Sequence, residues 1–231
     1  MKIGIIGQGY VGTAIKVGFE PHYQVETYDK SKTTCDLKQL VWGCEVIFVC
    51  VPTPMNEDGS CHTDIVESVI KEIDTYANGL QIVVIKSTVP PGTTDYLNKK
   101  YDGVNVIFNP EFLTEANFVE DFKNQDRIIL GGVRRGTNKL RQIYSKVFPT
   151  AHIIKTGSTL DERLGKTHLS VPGPDGDLGF GGHCLPKDLN ALIAFAQNLD
   201  LEPIVLETVN WVNDKYRKNR DWEKMKGRAV V

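Results

Sequence analysis

No apolar run in this 231-residue sequence approaches the length of roughly 20 residues that spans a bilayer, so a transmembrane helix is not expected. Charge of one sign is lacking too. The 27 Lys and Arg nearly balance the 29 Asp and Glu, for a net −2, which predicts neither a nucleic-acid footprint nor a membrane-surface patch. The N-terminus, MKIGIIGQGY, has no signal-peptide cleavage pattern. Five cysteines (Cys35, Cys44, Cys50, Cys61, Cys184) are an odd number without paired metal-type spacing. That speaks against a disulfide framework and a metal site, and predicts a reduced, cytoplasmic setting. Internal repeats and low-complexity tracts are missing as well.

What the sequence does have is concentrated in VPGPDGDLGFGGHCLPKD, residues Val171 to Asp188. Gly173, Gly176, Gly179, Gly181 and Gly182, with Pro172 and Pro174, make its first part a loop. Pro186 is placed for the first turn of a helix, and Leu189, Leu192, Ile193 and Ala196 repeat at helical spacing, which predicts a helix from about Leu185 to Gln197. Cys184 then lies at a helix N-terminus with Lys187 one turn away, and both favour the thiolate. Asp188, four residues beyond Cys184, falls on the same face and supplies an acid/base partner. The alternative for Cys184 is a small buried hydrophobe.

At the other end, Lys2 to Ile6 is a strand-like run followed at once by GQGYVG, with Gly7, Gly9 and Gly12 in G-x-G-x-x-G spacing and a helix beyond. After a strand and before a helix, this is the dinucleotide fingerprint. It needs an acid about 20 residues on, closing a second strand, and Asp29 at the end of Gln24 to Tyr28 supplies one. A carboxylate there accepts from ribose hydroxyls and repels a 2′-phosphate, so NAD is expected over NADP; Lys30 and Lys32 soften that preference. Strands are further predicted at Glu45–Val51, Gln81–Lys86, Val104–Phe108, Arg127–Leu130 and Ala151–Lys155, with helices at about Asp64–Tyr76, Thr93–Lys99 and Thr137–Val147. The alternation predicts an α/β fold with a doubly wound, parallel, Rossmann-type sheet. The loops leaving its strands should bring Thr53, Thr88, Glu111 and Glu115 to one edge. Thr156 to Ser170 reads as a linker, and a second helix is predicted at about Pro203 to Arg217. Asp214, Lys215, Arg217, Lys218 and Arg220 read as a solvated face, and the last residues as a strand without a downstream partner. The expected division is 1–156, NAD-binding, and 157–231, a small, mainly helical appendage with the glycine loop.

The motifs GQGYVG, VPTPMNEDGS, STVPPGTT, NPEFLTEANF and VPGPDGDLGFGGHCLPKD resemble those of the UDP-glucose 6-dehydrogenase family, in family order across almost all of residues 1–190. The resemblance implies oxidation of a UDP-sugar primary alcohol to an acid by two successive hydride transfers to NAD+. Cys184 would capture the aldehyde as a thiohemiacetal, and water would release the resulting thioester. Glu111 would be the general base, Thr88 would position the water and the nicotinamide, and Asp188 would assist proton movement. Gly7, Gly9, Tyr10, Val11, Gly12, Asp29, Lys30, Thr53, Thr88, Glu115 and Lys187 would border the cofactor. Glu111, Phe112, Leu113, Gly173, Pro174, Asp175, Gly176, Asp177, Phe180 and Gly181 would border the sugar nucleotide.

LPKD after Cys184 is also similar to GDP-mannose dehydrogenases. Two departures from the family stand out. Its long dimer-forming helix, with a Lys and an Asn aimed at the reacting carbon, has no counterpart between Thr156 and Ser170, and no motif places that role on Lys166. Losing a preorganised cation at an oxyanion costs about two to three orders of magnitude in rate. The further α/β domain that grips the uridine diphosphate has no counterpart before Val231. The reading from another class is therefore a dinucleotide or sugar-nucleotide binding module of the same descent. The oligomeric state stays open.

Overall fold

The computed structural model describes residues 1–32, 35–156, 176–182, 184–227 and 229–230. The chain divides into two compact bodies. One comprises Met1–Val51, Val66–Ser87 and Pro91–Asp161; the other comprises Pro52–Ile65, Thr88–Pro90 and Glu162–Val231.

The first body is built on a seven-stranded sheet: β1 (Lys2–Ile6), β2 (Gln24–Tyr28), β3 (Val46–Val49), β4 (Gln81–Ile85), β5 (Val104–Phe108), β6 (Arg127–Gly131) and β7 (His152–Thr156). The spatial order is β2-β1-β3-β4-β5-β6-β7. Its central strands are near-continuous apolar runs, as a sheet covered on both faces requires: every residue of β3 and β4 is buried. On one face Ile3, Ile5, Val46 and Phe48 meet Ala14, Ile15 and Phe19 of α1 (Tyr10–Phe19), Phe122 of α5 (Phe118–Lys123), and Leu140, Ile143 and Tyr144 of α6 (Arg134–Val147). Phe19 is the hub, with ring centroids 5.4 Å from Phe48, 5.5 Å from Tyr144 and 5.8 Å from Phe122. The strand residues in between point the other way. Gly4, between Ile3 and Ile5, lies so close beneath Leu40 of α2 (Leu37–Gly43) that an added Cβ would come within 2.5 Å of it. Helices α3 (Asp64–Tyr76) and α4 (Thr93–Lys100) bury Val66, Val69, Ile70, Ile73 and Leu97.

The expected strands and long helices are present within a few residues. The short α2, started by Asp36 accepting the Gln39 N–H at 3.2 Å, and α5 are additions. The expectation of a parallel sheet holds from β2 through β5 and for β6 with β7, but β6 meets β5 antiparallel, through Phe108 opposite Gly131 alone. Asn98 of α4 explains why the two strands meet at this end alone. Its Oδ1 accepts the Val106 N–H at 2.8 Å and its Nδ2 donates to Val106 O at 2.8 Å and to Thr94 O at 3.0 Å. One side-chain amide thus takes the place of a neighbouring strand along the middle of β5.

The second body contributes α7 (Leu185–Gln197), α8 (Ile204–Tyr216) and a short 3₁₀ turn, Asp221–Lys224. The tail finds its partner upstream rather than downstream: Met55 pairs with Val230, and the Met55 N–H donates to Ala229 O at 2.8 Å. Among the described residues, no helix is long and apolar enough to cross a membrane.

Replacing Asn98 by Ala leaves two ladder groups of Val106 without partners. Unfolding in urea should then show a loss of about 2–4 kcal/mol, against about 1 kcal/mol for an exposed control such as Asn138→Ala. Equal losses would remove Asn98 from the account of β5.

Candidate functional site

In the sheet body, β1 runs into α1 through a turn of three residues. The Gly7 N–H donates to Tyr28 O at 2.9 Å with φ at +92°, and a Cβ on Gly12 would stand 1.9 Å from Gly7 O. Gly9, the N-cap of α1, has open space around its Cα and no side chain to satisfy the first helical amides. A helix start of this kind receives a phosphate well. Asp29 follows β2 and accepts the Gln8 N–H at 2.7 Å, the Ser31 N–H at 2.9 Å and the Ser31 hydroxyl at 2.7 Å. Partial burial opposes its ionisation, but these bonds together with Lys32 outweigh it and hold the carboxyl below its ordinary value. Lys32 also donates to Gln8 O at 3.3 Å, and Lys30 is exposed. Tyr10 is half-exposed with its ring 5.1 Å from Phe118, while Val11 packs on the core. The turn, its outward amides and the ionised acid beside it fit a dinucleotide.

The loop after β5 carries Glu111, Phe112, Leu113 and Glu115. Glu111 is partly buried, Phe112 lies under the Arg127 guanidinium at 4.5 Å, Leu113 packs on the core, and Glu115 is exposed.

The second body holds Thr53, Thr88, Cys184, Lys187 and Asp188. Cys184 is exposed and caps α7, whose first turn contains Pro186, and the Asp188 N–H donates to Cys184 O at 2.8 Å. Thr88 Oγ1 donates to Asp188 Oδ2 at 3.4 Å, and the Lys187 ammonium is bonded to Asp188 Oδ1. Lys187 is only 4% exposed. Burial pulls its pKa down, yet the Asp188 carboxylate, with Cys184 and Cys61 in support, holds it above the ordinary lysine value. Cys61 was not singled out by the sequence. Its Sγ lies 3.6 Å from Thr88 O, and burial pushes its thiol up against the opposing influence of Lys187 and a hydrogen bond with buried Thr53.

The described part of the glycine loop, residues 176–182, is clamped by α8 and the tail. Asn213 accepts the Phe180 N–H at 2.7 Å and donates to Phe180 O at 3.0 Å. Asp221 accepts the Gly182 N–H at 3.1 and 3.2 Å, and Asp177 accepts the N–H groups of Lys218 and Asn219 at 3.1 and 3.0 Å. Gly179 has φ at +76° and would place a Cβ 2.2 Å from Asn213 Oδ1, so no other residue fits. Arg217 corrects the expectation of a solvated face: it is 5% exposed, against Gly181, with its Nε–H on Asn219 O at 2.8 Å. The available signal was the spacing of Asn213, Arg217 and Asp221, four residues apart each time. Gly173, Pro174 and Asp175 lie outside the described residues.

Asp188→Asn leaves the Lys187 charge buried without its carboxylate and should cost about 3 kcal/mol in urea unfolding. The double variant Lys187→Met/Asp188→Asn should recover most of that loss. Additive losses would mean that the two residues are not a pair.

Residues 20–148 match the UDP-glucose/GDP-mannose dehydrogenase family, NAD binding domain, and residues 136–215 match its central domain. The chain is 31% identical to a UDP-glucose 6-dehydrogenase of Rickettsia bellii, over 80% of this chain and 53% of that one. It is 29% identical to the UDP-glucose 6-dehydrogenase of Rhizobium meliloti, over 94% and 68%. A UDP-glucose dehydrogenase structure from Pyrobaculum islandicum superposes with a TM-score of 0.77 at 26% identity, covering 93% of this chain and 68% of that one. The chain thus spans about half to two thirds of the length of these relatives. The alignment with the Rhizobium protein extends over 305 positions, more than the 231 residues present here, so that relative has stretches within the aligned region that lack a counterpart. By its matched residues the chain belongs to the UDP-glucose/GDP-mannose dehydrogenase family and carries that family's NAD-binding domain.

Proposed function

We propose that this chain oxidises UDP-glucose to UDP-glucuronate with NAD as cofactor. The observation that supports this most is the group around the start of α7: an exposed Cys184 at the N-cap, buried Lys187 within electrostatic reach of it, and Asp188 bonded to both Lys187 and Thr88. NAD+, when bound, accepts hydride. The glycine turn and Asp29 would hold it, with Tyr10, Val11, Lys30, Thr53, Thr88, Glu115 and Lys187 at its border. In the first half of the reaction Glu111 takes the alcohol proton and the substrate carbon reaches the aldehyde. The Cys184 thiolate then adds to that aldehyde carbon to form a thiohemiacetal, which restores a hydrogen that can leave as hydride. Loss of that hydride gives a thioester on Cys184. Glu111 releases that first proton to solvent; water, positioned by Thr88, then gives a proton to Glu111 and attacks the thioester carbonyl, and the Cys184 thiolate departs as the carboxylate forms. Asp188 and Lys187 keep the departing sulfur as a thiolate. Phe112, Leu113, Gly173 to Asp177, Phe180 and Gly181 would border the sugar nucleotide. On this reading residues 1–156 serve the cofactor and 157–231 supply the nucleophile.

A second reading has an observation of its own. The stretches of the relatives that have no counterpart here favour a module that binds NAD or a sugar nucleotide without turnover. NADH formation separates the two. With UDP-glucose the protein should produce two NADH per sugar, with GDP-mannose as the parallel substrate, and Cys184→Ser should form no uronate, a loss of at least about a thousandfold. NAD binding without NADH at any substrate concentration would establish the module instead.

A further inference from the structure

Lys86, directly after β4, has no part in the scheme above, although it is 3% exposed beside the loop that carries Glu111. Its ammonium donates to Asn109 Oδ1 at 3.3 Å and to Pro110 O at 3.2 Å. These two residues lead directly into Glu111. Asn109 is itself fixed: the Tyr144 hydroxyl donates to its Oδ1, and its Nδ2 donates to Ile129 O at 2.8 Å. Both acceptors of Lys86 are uncharged, and keeping an ammonium buried on neutral groups is costly compared with an apolar side chain of similar size. The charged and titratable groups that face it are few. Cys50 follows β3, and its thiol is pushed up by burial and so stays neutral; Tyr144 on α6 is pushed up in the same way. From the loop after β5 comes Glu111.

We infer that Lys86 is a positioning residue for Glu111: held by Asn109 and Pro110, its ammonium sets the turn that presents Glu111 and keeps that carboxylate ionised to accept a proton. The inference rests on the role given to Glu111 above. Burial lowers the Lys86 pKa to about 8, with Glu111 and Cys50 pulling the other way. Below that pH the ammonium is present and Glu111 keeps its partner; above it the partner is lost.

The test is a pair of titrations by ¹³C NMR on the intact protein, with labelled Lys Cε and Glu Cδ. In Lys86→Met the Glu111 pKa should rise by about one unit. In Glu111→Gln the Lys86 pKa should fall by a similar amount, because the coupling is reciprocal. The acid limb of kcat/KM for UDP-glucose should move up in Lys86→Met with the Glu111 titration. An unmoved Glu111 in a folded Lys86→Met protein would overturn the inference. So would an unmoved Lys86 in Glu111→Gln, which decides the matter should Lys86→Met fail to fold. Shifted titrations with an unshifted acid limb would reduce Lys86 to a structural residue and overturn it as well. Wild-type protein that makes no NADH would sink the dehydrogenase reading, while the two titrations still decide the pairing.

Discussion

The tightest constraint in the sheet body is the approach of the start of α1 to the end of β1. Only a residue without a side chain can occupy position 12, where a Cβ would collide with Gly7 O. That closeness turns the chain from strand to helix within three residues and leaves the amides at Gly9 open. Asp29 then ties β2 to the turn through the Gln8 N–H at 2.7 Å, so the acid and the helix start are fixed to each other before any ligand arrives. A site organised in advance loses less freedom on binding than one that must be gathered. The aromatic cluster around Phe19 supports this geometry from below, because Ile15 and Phe19 anchor the same helix whose first turn follows Gly9.

In the second body the corresponding constraint is charge. Lys187 is buried and needs Asp188, and Asp188 in turn receives the Thr88 hydroxyl. Within this body Thr88 and the start of α7 are joined by this one carboxylate. The glycine loop ahead of Cys184 would have few interactions of its own, since glycine brings no side chains to pack. Asn213 and Asp221 supply the missing contacts by bonding its backbone directly. Pinning backbone with side-chain amides and carboxylates recurs in the sheet body, where Asn98 does the same for Val106.

How much of this was legible follows from what each signal measures. The buried strands β1, β3, β4 and β5 are largely apolar runs, and they were read to within two residues at each end. Helices of ten or more residues showed their period. Leu37–Gly43 and Phe118–Lys123 did not, because seven and six residues are too few turns for a period to emerge. The direction of β6 was not legible at all. RIILG reads the same in either sense, and nothing in the local sequence sets which way it runs. Arg217 and Lys187 were read as surface or cofactor-facing charges, the usual place for such residues. Their burial depends on partners that only the folded chain brings near. The glycine turn, Asp29 and the position of Cys184 at a helix start were legible because each depends on local sequence alone.

The central claim is that the β1–α1 turn with Asp29 is a seat for NAD. Calorimetric titration of NAD+ and NADP+ into the wild-type protein and Asp29→Ala tests it most directly. The account predicts that the wild type binds NAD+ at least about tenfold more tightly than NADP+, a charge-assisted hydrogen bond being worth about 1.5–3 kcal/mol, and that Asp29→Ala loses most of that difference. Wild-type protein that takes up no NAD+, or that binds NADP+ equally well, would contradict it.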